Sequence, residues 1–265
     1  MPLYSEVFGH VGDRAEHSPS SPPVLVFLHG LLGTGRDWAA VIQQCSAYPC
    51  LTIDLPGHGH SREITAAGFE DANRQIIETL RQREIRHYVL IGYSMGARLA
   101  MYHACQPRPS NGPTLAGLVL EGGHFGLPES QREVRQANDE HWAQRFMAEP
   151  PESVLKDWYR QPVFASLDAV QQQQLIRKRK DLFGPGIAQM LRATSLANQP
   201  MLLPGLAALD LPIHYLCGDK DIKFRALAEA SALDVSVISG AGHNVHVERP
   251  DAFFTVLQQF LNSIQ

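Results

Sequence analysis

The chain is short of cysteine, of long apolar runs and of any surplus of charge, and each shortage removes a class of protein. Four cysteines occur in 265 residues (Cys45, Cys50, Cys105 and Cys217), none in a CxxC spacing. That gives no zinc or thiol-redox signature. Reduced thiols in a cytoplasm are the expectation, since disulfides need an oxidising compartment. The strongest apolar run, VLVFLHGLLG at 24–33, contains His29 and is far too short to cross a bilayer. The opening residues, MPLYSEVFGHVGD, lack the basic segment and the apolar stretch of a secretory signal. A net charge of −4 offers no bulk attraction for nucleic acid or an anionic membrane. Neither partner is expected, and an acidic ligand would have to be recognised locally.

What is present describes a globular protein, with 44% hydrophobic and 19% charged residues. The length suits one domain with an inserted subdomain. Short apolar runs recur: VLVFLH at 24–29, CLTIDL at 50–55, YVLIGY at 88–93, LAGLVLE at 115–121, IHYLC at 213–217 and VSVIS at 235–239. They are nearly continuous, which fits strands buried on both faces of a parallel sheet. Helical spacing lies between them, at Phe69, Ala72, Ile76, Ile77 and Leu80. After Pro250, which suits a helix's first turn, it returns at Phe253, Val256, Leu257, Phe260, Leu261 and Ile264. The alternation predicts an α/β fold with a mainly parallel sheet flanked by helices. It breaks between about 124 and 205, a Gln- and Arg-rich stretch without convincing strands. The expected organisation is a core over 1–123, a helical cap over 124–205 inserted after the sixth core strand, and a second core part over 206–265.

The chemistry centres on Gly92-Tyr93-Ser94-Met95-Gly96, a G-x-S-x-G with a strand before it and a helix after it. In that context the serine stands on a sharp turn above the sheet's carboxyl edge, next to a helix N-terminus that favours negative charge. A serine there needs a base and an orienting acid later in the chain, in the order Ser, acid, His. His243, in GAGHN after the last strand, occupies the base's position. Asp219 and Asp221, in LCGDKDIKF, both qualify as the acid, and Asp221 is preferred because it lies farther into the loop. His58 and His60 precede the serine and, with Asp54, are read as loop residues. The backbone N–H groups of Leu31 and Met95 are the candidate oxyanion donors.

FLHG, DLPGHGHS, GYSMG and GAGH, in this order and spacing, resemble the α/β-hydrolase superfamily. GYSMGAR, LEGGHFGL, DWYRQPVFASL and LCGDKDIKFRALA narrow the resemblance to the 2-succinyl-6-hydroxy-2,4-cyclohexadiene-1-carboxylate synthases of menaquinone biosynthesis. The resemblance implies a lyase that eliminates pyruvate from a small tricarboxylate, 2-succinyl-5-enolpyruvyl-6-hydroxy-3-cyclohexene-1-carboxylate, with no metal or organic cofactor. It also gives Arg98 a purpose. A cation near a helix N-terminus opposes the macrodipole, but four residues after Ser94 it shares the serine's face and can grip a carboxylate with two prongs. Arg135 and Arg179 are implied as further anion contacts from the cap, and Trp158 and Tyr159, which match the family's WY, as pocket walls, while Tyr93 flanks the nucleophile and is a further substrate-binding candidate. Lys223 and Arg225 are weaker candidates. A hydrolase of a small acidic ester or thioester is the runner-up, and a non-catalytic binding protein the third reading. Sequence leaves the oligomeric state open, with a monomer favoured.

Overall fold

The structure, a computed structural model, describes residues 1–9, 22–107 and 112–264. Among the described residues seven strands form one sheet: β1 (Ser5–Phe8), β2 (Val24–Leu28), β3 (Cys50–Ile53), β4 (His87–Tyr93), β5 (Thr114–Glu121), β6 (Ile213–Gly218) and β7 (Asp234–Ile238), in the order β1-β3-β2-β4-β5-β6-β7. β1 pairs antiparallel with β3, and every other pairing is parallel. The helices are α1 (Ala39–Ile42), α2 (Phe69–Gln82), α3 (Met95–Cys105), α4 (Glu129–Ala148), α5 (Pro151–Trp158), α6 (Ala169–Arg179), α7 (Gly184–Ala193), α8 (Leu203–Ala207), α9 (Ile222–Glu229), α10 (Val245–Glu248) and α11 (Pro250–Ser263).

β4 shows why the apolar runs are continuous. Leu90 packs into the core layer that α2 and α3 cover, while Val89 and Ile91 point to the opposite layer, shared with Trp38, Phe253 and Leu257. A strand covered on both faces has no polar side to display. Each such side chain contributes about 1.5–3 kcal/mol by leaving water. α4 through α7 bury a separate apolar cluster, including Trp142, Phe146, Leu155 and Ile187. They stand between β5 and β6, the fifth and sixth of the described strands. The sequence reading passes over β1. Its four residues, SEVF, mix buried and part-exposed positions at the sheet's edge and make no apolar run.

Parallel pairing brings the ends of several strands to one edge. Leu28 pairs with Gly92, Tyr93 with Glu121, Glu121 with Leu216, and Gly218 with Ile238. The loops that leave these positions carry the site, as open α/β sheets allow at the carboxyl ends of their strands.

Candidate active site

β4 passes into α3 through Ser94, which takes φ +51° and ψ −108°, a conformation that costs a non-glycine residue roughly 1–3 kcal/mol. Two glycines let the turn form. A Cβ on Gly92 would stand 2.5 Å from the carbonyl oxygen of Gly96, and one on Gly96 would stand 2.3 Å from that of Leu28. The Ser94 amide donates to the Glu121 carbonyl at 2.8 Å, and the Ser94 carbonyl accepts from the Arg98 amide at 3.0 Å. The turn is thus fixed to β5 on one side and opens α3 on the other. Met95 is the first residue of α3, so its N–H is among those without an intrahelical acceptor.

His243, from the loop after β7, places Nε2 3.2 Å from Ser94 Oγ and Nδ1 2.6 Å from Asp221 Oδ2. The carboxylate favours a proton on Nδ1, which leaves the Nε2 lone pair facing the serine. His243 and Asp221 are buried, and the Phe224 ring lies 4.6 Å from the imidazole. Asp219 is engaged elsewhere. Its carboxylate accepts from the Gly240 amide at 2.8 Å and the Ser239 hydroxyl at 3.3 Å, and the Gly240 bond leads in holding it below the usual carboxylate range. The structure therefore brings Asp221, and not Asp219, to His243.

Leu31 begins the turn after β2, and buried histidines shape the backbone around it. His29 donates from Nδ1 to the Gly30 carbonyl at 2.7 Å and accepts on Nε2 from the Leu55 amide at 2.9 Å. His58 donates to the Pro56 carbonyl at 2.8 Å and accepts from the Leu32 amide at 3.1 Å. Burial lowers the His58 pKa to about 3, so the ring is neutral near pH 7.

Ser94 and His243 open on a cavity of about 440 Å³ that Leu31, Arg98, Arg135, Trp158 and Arg179 also line. Its cations are held differently. Arg98 donates from Nη1 to the Thr194 carbonyl at 2.7 Å and to Gln199 Oε1 at 3.4 Å, and among the described residues no carboxylate pairs with it. Burial first, then the charge of Arg135, lowers its pKa to about 9. Arg135, on α4, lies 2.8 Å from Asp139, which also accepts from the Ser195 hydroxyl. Arg179, at the end of α6, meets Asp37 at 3.2 Å and donates to the Tyr159 hydroxyl. Burial works against its charge, but Tyr159 and Asp37 outweigh that and hold its pKa above the ordinary value. Trp158 stands at the end of α5 with its ring 5.0 Å from that of Trp142. The Tyr93 ring lies 5.3 Å from His243. Lys223 also reaches the cavity, whereas Arg225 pairs with Glu229 at 2.8 Å on its own helix. The sequence reading missed Asp37, Asp139, Gln199 and Glu121. No motif marks them: Asp37, Gln199 and Glu121 meet partners distant in the chain, and Asp139 meets Arg135 at the i,i+4 spacing of an ordinary solvated helix pair.

A doubly covered parallel sheet, with a strained serine between strand and helix and an acid-held histidine above its edge, is an α/β hydrolase architecture. The model described as the alpha/beta hydrolase family matches residues 25–256. A 2-succinyl-6-hydroxy-2,4-cyclohexadiene-1-carboxylate synthase of Yersinia pestis (strain Pestoides F) is 49% identical over 251 residues, covering 92% of this chain and 91% of that protein. One from Yersinia enterocolitica is 49% identical over 256 residues, covering 94% and 92%. The structure of MenH from S. aureus superposes with a TM-score of 0.87 at 29% identity, covering 100% of both chains. The chain belongs to the 2-succinyl-6-hydroxy-2,4-cyclohexadiene-1-carboxylate synthase family within the α/β hydrolases.

Proposed function

We propose that the chain is a carbon–oxygen lyase that eliminates pyruvate from 2-succinyl-5-enolpyruvyl-6-hydroxy-3-cyclohexene-1-carboxylate, yielding 2-succinyl-6-hydroxy-2,4-cyclohexadiene-1-carboxylate for menaquinone biosynthesis. One observation carries the reading beyond kinship. A serine–histidine–aspartate array opens on a cavity in which Arg98 has no carboxylate partner among the described residues. A buried cation of that kind suits an anionic substrate.

In this reading Asp221 orients His243 and stabilises its protonated form, while His243 draws the proton from Ser94. The serine oxygen then takes the proton α to the succinyl ketone, and the C–H electron pair becomes the enolate. The Leu31 and Met95 N–H groups stabilise the enolate oxygen as they would an acyl-transfer oxyanion. Collapse of the enolate forms a double bond from the deprotonated ring carbon to its neighbour, shifts the existing ring double bond one position along and breaks the C–O bond to the enolpyruvyl group. The proton held by His243 completes the leaving group, which becomes pyruvate. Arg98, Arg135 and Arg179 bind substrate carboxylates, and Tyr93 and Trp158 wall the pocket. Residues 124–205 act as the cap over a core of 1–123 and 206–265. No metal or organic cofactor takes part in this scheme, and we place the protein in the cytoplasm as a monomer. Among the described residues no helix is long and apolar enough to cross a membrane.

The test is pyruvate release from the cyclohexene substrate beside cleavage of simple esters by the same preparation. Faster pyruvate release is expected. Ester cleavage without pyruvate release would replace this reading by the hydrolase one.

A further inference from the structure

Beneath Ser94 and His243 lies a second acid–histidine pair that the mechanism above leaves unused. Glu121 ends β5, and His246 stands in the first turn of α10, three residues after His243. Both side chains are fully buried. The Glu121 carboxylate accepts from the His246 amide at 3.1 Å through one oxygen and from its Nδ1 at 2.7 Å through the other. The main-chain carbonyl of the same glutamate accepts from the Ser94 amide at 2.8 Å. One residue thus holds the serine's turn with its backbone and the segment after the histidine with its side chain.

The surroundings leave the pair little freedom. Trp38 stacks on the His246 imidazole with ring centroids 3.9 Å apart and planes 19° apart. The Tyr93 ring meets His246 edge-on at 5.0 Å and His243 at 5.3 Å, so it lies between the two histidines. His246 Nε2 is buried without a protein partner, so the Glu121 carboxylate carries the ring's hydrogen bonding. A buried carboxylate is costly unless well bonded. A plain packing role would be served as well by an apolar pair of similar volume. A two-oxygen clamp supplies direction instead. It fixes the rotation and height of the α10 start, and through Asn244 the position of His243.

We infer that Glu121 and His246 form a positioning pair that sets the His243 imidazole against Ser94. This rests on the reading of Ser94, His243 and Asp221 as the reacting array. Neither residue lines the cavity. Loss of the pair therefore acts on the chemical step and spares binding, and a misplacement of about 1 Å at a reacting group costs on the order of 100-fold.

Glu121→Gln is nearly isosteric, but its single amide oxygen cannot accept from the His246 amide and from Nδ1 as the two carboxylate oxygens do. Its kcat should fall on the order of 10- to 100-fold with KM close to the unmodified value. His246→Asn sets an amide nitrogen where Nδ1 stood and should keep much of the rate, whereas His246→Leu leaves the carboxylate unpaired and should lose it. A folded Glu121→Gln protein with unchanged kcat, or a KM that rises in parallel with the loss, would overturn the inference. Should Glu121→Gln fail to fold, equal kcat in His246→Asn and His246→Leu would overturn it in the same way. Labelling of Ser94 by a fluorophosphonate separates this inference from the reading beneath it. An unmodified protein that does not label would remove the reading and the inference together. Equal labelling rates in unmodified and Glu121→Gln protein would remove the inference alone, and slower labelling in the variant is expected.

Discussion

Around Ser94 the chain is held by backbone pressed against backbone, whereas the end of α6, across the cavity, is tied to the core by charges. At the turn, Gly92 and Gly96 allow approaches that a single Cβ would block, and the residues that flank the serine are buried. In the insertion, α6 buries no apolar residue completely. Its end is tied to the core by Arg179 and Lys178, which share the Asp37 carboxylate at 3.2 and 2.6 Å. Packed backbone gives a fixed geometry, and a proton transfer over a hydrogen bond needs one. Ion pairs at an insertion give complementarity to an anion and leave the element free to adjust. On the proposed function, the first region serves the reacting atoms and the second the recognition of charge.

The comparison breaks most visibly at the reacting atoms. Ser94→Ala or His243→Ala should lower kcat by several orders of magnitude, and the double variant should lose little more, because members of one reacting unit are not additive. Asp221→Asn should be far more damaging than Asp219→Asn, since only Asp221 bonds His243. Steady-state kinetics on the four single variants and the double variant check this, with thermal melting to show that each still folds.

A smaller loss is expected at Arg98, which belongs to the packed side and is proposed to serve recognition. Arg98→Ala should cost roughly 2–5 kcal/mol in kcat/KM if it faces a desolvated carboxylate, because truncation leaves the partner unpaired. Arg98→Lys keeps the charge but not the planar fork and should remain impaired. Near-normal kcat/KM in Arg98→Ala would assign the arginine to the Thr194 and Gln199 contacts alone.

On the insertion side, Asp37→Asn removes the charge that Arg179 and Lys178 share while keeping an acceptor. Both Asp37 and Arg179 are at least nine-tenths buried, so a loss of roughly 2–3 kcal/mol in stability is expected, below that of a fully broken buried pair. Denaturant titration measures it. KM should rise more than kcat falls if the displaced Arg179 is the anion contact proposed above. The opposite split would place Arg179 with the reacting atoms.

How much of this was legible in sequence follows the same division. The both-face-buried strands read as continuous apolar runs, and Gly92, Ser94 and Gly96 stand within five residues. β1 was illegible because an edge strand of four residues needs no apolar run. The pairs that hold the site were illegible for another reason. Glu121 meets His246 across 125 residues, Arg179 meets Asp37 across 142, and Arg98 meets the Thr194 carbonyl across 96. Nothing local distinguishes such a glutamate or aspartate from any other. Asp219 and Asp221 differ in sequence by two positions, and only the turn at Gly240 claims one of them.

Acid should separate the packed side by a gentler effect. His58, and likewise His124, whose pKa burial lowers to about 3, stay neutral when folded but protonate near 6.5 when unfolded. Between those values the unfolded chain binds the extra protons. Stability therefore falls as pH drops from about 6.5 toward 3, by up to about 1.4 kcal/mol per pH unit for each histidine. Denaturant midpoints at pH 7, 6 and 5 should show the decline. His124→Gln should reduce its slope, and an unchanged slope would mean that this ring does not contribute to it.

The smallest expected effect lies at Arg225 and sharpens the comparison by failing to disturb it. Lys223 and Arg225 follow Asp221 in one short segment, IKFR, and sequence alone offers both as anion contacts. The helix separates them. Lys223 reaches the cavity, whereas Arg225 turns toward Glu229, four residues on, and both partners of that pair are about half exposed. Exposed pairs of this kind contribute little, since solvent screens the charges and ordering two long side chains offsets the attraction. Arg225→Ala should leave kcat/KM and the melting temperature unchanged within error. Lys223→Ala should raise KM, through the loss of one more positive charge at the cavity. Equal kinetic effects from the two substitutions would mean that the whole segment acts by bulk charge, and high salt would then abolish both. A KM effect confined to Lys223→Ala would place recognition at the cavity wall, one side chain away from a residue of the same charge that takes no part.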